Sequence, residues 1–220
     1  MRRLMLPLLL ALPASAFSGP TAEGAPAPSP VTIYTQFAHP PSAVSVEHMK
    51  AELDAIMAPL DLHFAWRSLE QANGHEALFE IVVVSFQGTC RSDGLLPEEL
   101  PVRALGWTHI ADGQVLPFSE VDCDRIRGLM NSPLAAAAPG ERARLLGRAM
   151  ARVLAHELYH FFTNTTNHAH SGIAKACYTG AELAGEQLRF EDAQLRKVRS
   201  GRLRELLSDI HRADEPAGGL

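Results

Sequence analysis

Apolar positions recur along this chain in two rhythms, one strand-like and one helical, and the switches between them divide it into elements. Val31-Thr32-Ile33-Tyr34-Thr35 is a β-branched and aromatic run that predicts a first strand. Ser45 then opens a helix in which Val46, Met49, Leu53, Ile56, Met57 and Leu60 recur at helical spacing, with Pro59 marking its end. His48 stands where a capping box would need Glu or Gln, so that start rests on periodicity alone. Leu62 to Leu69 puts Leu62, Phe64, Trp66 and Ser68 on one face, the period of a half-buried strand. Ala77 to Phe86 contains Ile81-Val82-Val83-Val84, the continuous apolar run of a central strand covered on both faces, and Gly88 ends it.

Farther on, Leu105 to Ile110 and Gln114 to Phe118 flank Ala111-Asp112-Gly113, which predicts a hairpin turned at Asp-Gly, and Pro117 fits best on an edge strand. From Gly140 to about Asn164 the pattern is helical, with Leu145, Leu146, Ala149, Met150, Val153, Leu154 and Leu158 on the apolar side. Asn164-Thr165-Thr166-Asn167 competes for backbone hydrogen bonds and should end that helix soon after His160. A last helix is expected from about Gly180 to Ser208. Strands and helices in this order give an α+β domain with a mixed sheet of four to five strands.

The ends change the picture of where the chain works. Arg2 and Arg3, the apolar stretch Leu4 to Leu12 and Ala14-Ser15-Ala16 have the order of an export signal over residues 1–16, and the apolar stretch falls far short of the roughly 20 residues that span a bilayer. Residues 17–30, rich in Pro, Gly, Ala and Ser, read as a linker. The domain then occupies residues 31–212, and 213–220 form a frayed tail. The expected location is periplasmic or secreted, with no membrane contact after cleavage. Composition, at 46% hydrophobic and 20% charged, is that of a globular domain, and a net charge of -5 without a basic run offers nothing to nucleic acid. An oxidising compartment permits a disulfide, and Cys90 with Cys123 is the preferred pair because both lie at ends of predicted strands in one half of the domain. Three free cysteines, Cys177 included, are the alternative.

The chemistry concentrates in His156-Glu157-Leu158-Tyr159-His160. Histidines four apart on a helix leave from one face, so both imidazoles can meet a single cation. Glu157, at the edge of that face, can reach a water beside the metal, the general-base position of a zinc peptidase. The other histidines, His39, His48, His63, His75 and His109, have no ligand spacing, and Tyr159 points off the ligand face into packing. Asn164-Thr165-Thr166 also matches a glycosylation sequon, although helix-end turn chemistry explains it equally well.

On this motif the chain resembles the zincin superfamily of metallopeptidases. The order of strand, helix, strands, hairpin and motif helix resembles the N-terminal half of metzincin catalytic domains. The resemblance implies a twisted mixed sheet with a backing helix, the motif helix and then a C-terminal helix. It further implies Zn2+ on His156 and His160, base catalysis by Glu157, and a peptide or protein substrate lying along the sheet edge around Gly106 to Phe118. The segment His156 to Tyr178 is also similar to secreted bacterial proteins with H-E-L-Y-H, a Thr-rich loop, His and Gly-x-Ala-Lys, a likeness that implies no activity by itself. Departures from metzincins are specific: Thr163 replaces their glycine, Thr166 their third histidine, His168 comes two residues late, and no methionine follows Met150. Ala176-Cys177-Tyr178 falls near the place of their methionine turn, and Tyr178 is then the counterpart of a tyrosine near zinc, a possible transition-state stabiliser.

A catalytic zinc site needs a third protein ligand. His168 can return after the helix stops, His170 can do so from the opposite face of an extended segment, and Glu182 resembles the later glutamate of gluzincins, with Glu186 behind it. Two other functions stay open at this stage: an exported metal-binding protein without turnover that uses the same histidines, and an interaction domain in which the helix is only structural. Oligomeric state, substrate and cleavage preference have no signal in the sequence.

Overall fold

The computed structural model describes residues 31–72, 81–94 and 103–201. The expected signal and linker over 1–30, the start of the third predicted strand at Ala77, His75, and the expected tail and end of the predicted last helix lie outside the described residues. The elements run β1 (Val31–Phe37), α1 (Ala43–Met57), β2 (Phe64–Ser68), β3 (Ile81–Gln87), β4 (Gly106–Ala111), β5 (Gln114–Asp122), α2 (Cys123–Leu129), α3 (Asn131–Ala136), α4 (Pro139–Thr163) and α5 (Gly180–Ala184). This is an α+β domain. Among the described residues five strands form one sheet in the order β2-β1-β3-β5-β4, parallel except for β4, which pairs antiparallel to β5 and lies at one edge, with β2 at the other.

The core lies between the sheet and two helices. Val82, Val84, Phe86 and Val121 join Met49, Leu53 and Ile56 of α1 and Leu146, Met150 and Leu154 of α4 in one buried cluster. Helices α1 and α4 approach closely at Gly147, where an added Cβ would stand 2.4 Å from the Ser45 carbonyl oxygen. Arg152, buried in α4, reaches Glu52 of α1 at 3.0 Å and donates to the carbonyls of Glu182 and Leu183 at 2.8 and 2.9 Å. One guanidinium thus joins three helices, and removing one partner of such a buried pair typically costs about 3–5 kcal/mol. Cys90, beyond β3, is bonded to Cys123 in the first turn of α2.

The predicted hairpin turns at Asp112 and Gly113, both left-handed at φ 52° and 77°, the twist that a two-residue connection needs. Three expectations change. Ser42, not Ser45, caps α1, and its side chain accepts from the Ser45 backbone N–H. Pro117 sits on an interior strand, tolerated because β3 pairs with β5 only from Phe118 onward and the β4–β5 ladder is irregular opposite it, between Thr108 and Ile110. The single last helix is broken: α5 stops at Gly185, and helix resumes over 192–201. The intervening chain is held by non-helical bonds, among them Ile173 N–H to the Arg189 carbonyl at 3.1 Å.

Gly147→Val should lower thermal stability by about 3 kcal/mol, a fall of roughly 10 °C in a domain this size, because a backbone oxygen cannot rotate out of the way. An unchanged midpoint in thermal unfolding would contradict the close helix contact. Peptide mapping without reductant should recover Cys90 linked to Cys123 and leave Cys177 unlinked; two free thiols at 90 and 123 would contradict the bond.

Candidate metal centre

Helix α4 carries the motif into the centre of the molecule, and its ending builds the rest of the site. Asn164 adopts φ 45° and ψ 52° and stops the helix. Its side-chain oxygen accepts from the Val115 backbone N–H at 2.9 Å, fastening the helix end to the hairpin. The chain then reverses, and His168 comes back over the helix. His156, His160 and His168 each offer a ring nitrogen, all within 4.8 Å of one another, so the three could hold a metal ion. His156 and His160 are 7% and 8% exposed, while His168 closes the group from the solvent side.

The hydrogen bonds decide which nitrogens are available. His156 Nδ1 lies 2.8 Å from the Ile173 carbonyl and His160 Nδ1 lies 2.7 Å from the Thr165 carbonyl. A carbonyl only accepts, so both Nδ1 atoms carry the proton and both Nε2 atoms carry a lone pair. Those two Nε2 atoms face each other at 3.0 Å. Two lone pairs at that distance repel, and a cation between them relieves the repulsion; the donor set fits a metal that takes imidazole nitrogen. Burial also keeps the rings neutral, lowering the pKa of His156 to about 4 and that of His160 below its ordinary value, although the bonds to Ile173 and Thr165 act the other way. Neutral imidazole is the form that binds metal.

Glu157 is 3% exposed. Thr108 on β4 donates to its Oε2 at 2.7 Å, and Gly106 leaves room for the carboxyl, since a Cβ there would approach Oε1 to 3.0 Å. Burial pushes the Glu157 pKa up to about 7, against the lowering effect of the Thr108 bond. Two cavities of about 670 and 220 Å³ open on the site, and Gly106, His156, Glu157 and His168 border both. The larger extends toward Arg125, Leu129 and Cys177, the smaller along β4 toward Ile110 and Val115.

The structure leaves the other ligand candidates apart from this group. Glu182 forms a capping box with Thr179 and an ion pair with Lys175, and these partners, Lys175 first, hold its pKa down at about 2. His170 is exposed and outside the cluster, and Glu186 lies 3.7 Å from Arg148. Tyr178 stands behind His156, its hydroxyl 3.0 Å from Nδ1, and burial keeps its pKa above the ordinary value. Thr108, Gly106 and the carbonyls of Thr165 and Ile173 were not found from the sequence. A threonine on a strand has no distinguishing mark, and a carbonyl acceptor has no residue type. Comparison of the chain with protein-family models, curated proteins and solved structures finds no match.

The Glu157 carboxyl gives a pH test in the metal-free protein. Folded, it keeps its proton up to about pH 7; its ordinary value is 4.5. Between those values the folded state binds more protons than the unfolded one, so this group lowers stability progressively as pH rises from 4.5 to 7. His156 works oppositely between about 4 and 6.5, because its folded pKa is depressed. Comparing Glu157→Gln with wild type removes the histidine contribution from the difference. The variant should gain little below pH 4.5 and on the order of 3 kcal/mol above pH 7. A difference in chemical denaturation that does not grow with pH would rule out the buried-carboxyl account.

Proposed function

We propose that this chain is an exported zinc-dependent metallopeptidase of the zincin type, with a metzincin-like set of three histidines, that hydrolyses peptide bonds with Glu157 as general base. The observation that carries the reading is the facing pair of Nε2 atoms, 3.0 Å apart, with a buried carboxyl from the same helix turn beside them. Zinc held by His156, His160 and His168 would supply Lewis-acid chemistry, bringing the pKa of water to about 7 and polarising a carbonyl.

The chain's own groups do the rest. Glu157 accepts the proton of the attacking water and returns it to the leaving amine, acting first as general base and then as general acid. Thr108 holds one carboxyl oxygen of Glu157, the other faces Gly106, and both residues border the cleft. Among the described residues strand β4 lies at an edge of the sheet, the position from which a strand can pair with an extended peptide. The cavities on both sides of the histidines leave space for side chains before and after the bond that is cut. Export is part of the proposal; it is supported by the order of residues 1–16 and is consistent with a Cys90–Cys123 disulfide, which an oxidising compartment permits.

His168→Ala should weaken zinc binding strongly. Glu157→Gln should keep zinc, measured by elemental analysis, yet suppress hydrolysis of a general protein substrate by orders of magnitude. Undiminished hydrolysis by Glu157→Gln would remove the mechanism. A wild-type protein that binds zinc and hydrolyses no peptide would leave a metal-binding protein without turnover.

A further inference from the structure

The ring of His156 has a second edge, away from His160, and a tyrosine hydroxyl stands against it. Tyr178 Oη donates to the Ile173 carbonyl, the oxygen that also takes the His156 Nδ1 proton at 2.8 Å. A carbonyl oxygen has two lone pairs and can serve both hydrogens. Oη is itself 3.0 Å from Nδ1, and the two rings meet edge to face, 5.9 Å between centroids and 80° between planes. The resemblance to metzincins implied a tyrosine acting on the reacting carbonyl. Here the hydroxyl faces Nδ1, whereas Nε2 faces His160.

A single bond from Nδ1 to a carbonyl sets the tautomer but lets the ring rock about that line. The oxygen of Tyr178 on the same edge removes this freedom, and its own bond to Ile173 fixes where that carbonyl points. The segment is anchored from its other side: Ile173 N–H donates to the Arg189 carbonyl, and Ala169 N–H donates to the Ala174 carbonyl at 2.8 Å. Lys175 Nζ lies over the tyrosine ring, 5.7 Å from its centroid.

We propose that Tyr178 is a positioning residue of the metal centre: by sharing the Ile173 carbonyl with His156, it fixes the ring rotation that sets Nε2 beside its counterpart on His160. The proposal rests on the metal-site reading above. It assigns the hydroxyl to metal affinity, where groups behind a ligating histidine typically contribute 10–100-fold.

Tyr178→Phe in the mature chain keeps the ring and removes the hydroxyl. Zinc Kd, measured by competition with a chromogenic chelator, should rise about 10–100-fold, while the metal-free thermal midpoint falls by no more than about 4 °C. Nitrogen-15 spectra of the metal-free variant should show His156 keeping its Nδ1–H tautomer, set by Ile173, while that proton exchanges faster with solvent as the ring gains freedom. A Kd within about twofold of wild type overturns the proposal, and lost hydrolysis at that unchanged affinity would place the hydroxyl on the substrate instead. Should the variant fail to fold, the wild-type spectrum decides: a slowly exchanging Tyr178 hydroxyl proton together with a His156 Nδ1–H supports the proposal, and a freely exchanging hydroxyl or an Nε2–H tautomer overturns it. Wild-type protein that takes up no zinc would defeat the metal-site reading itself, and with it any role of Tyr178 in affinity.

Discussion

The structure of the site depends on two backbone carbonyls that each take the Nδ1 proton of a buried histidine. Ile173 does this for His156 and Thr165 for His160, and together they leave two lone pairs facing each other across 3.0 Å. Without those acceptors, either ring could flip or change tautomer, and the spacing of the two histidines on one helix face would not define a cation site. Everything that holds residues 165 to 178 in place is therefore part of the centre. The left-handed Asn164 ends the helix in time for Thr165 to accept from His160, and its side chain ties that ending to the hairpin. Gln194 donates to the Ser171 carbonyl at 2.7 Å, so the helical residues near the end of the described chain help fix a loop that bears a ligand candidate.

The same helix carries its supports one turn below the histidines. Arg152 lies on nearly the same face as His156 and binds both Glu52 and the last carbonyls of α5. Burial lowers the pKa of this guanidinium, and Glu52 opposes the shift. The arrangement has one consequence for the site: α1, α4 and α5 cannot slide past one another without uncovering a charge. Glu157 adds a similar constraint from the sheet side. Its carboxyl is buried against Thr108 and the glycine at 106, so the outer strand and the motif helix must keep their separation.

Much of this was legible because it depends on spacing. His156 and His160 follow from the helical repeat, the end of α4 follows from the run of Asn and Thr, and the hairpin follows from Asp112-Gly113. What was missed depends on partners distant in sequence. Short helices α2 and α3, over Cys123 to Ala136, are too brief to show a periodic pattern above noise. Pro117 reads as an edge residue until the offset pairing of β3 and the irregular ladder are seen. The apolar spacing after Gly180 suggested one helix, but bonds from the ligand loop claim the backbone around Arg189 instead. Glu182 was attractive as a ligand because of its place after the motif, yet the sequence also holds Thr179 three residues before it, the signature of the capping box that occupies it.

Three imidazoles and no carboxylate or thiolate is the claim on which the account turns. X-ray absorption at the zinc edge of the purified, zinc-loaded protein measures it directly. The account predicts three histidine nitrogens at about 2.0–2.1 Å with the multiple-scattering pattern of imidazole. A sulfur scatterer at about 2.3 Å, which would bring in Cys177, or only two imidazoles with an added carboxylate, which would bring in Glu182, would contradict it.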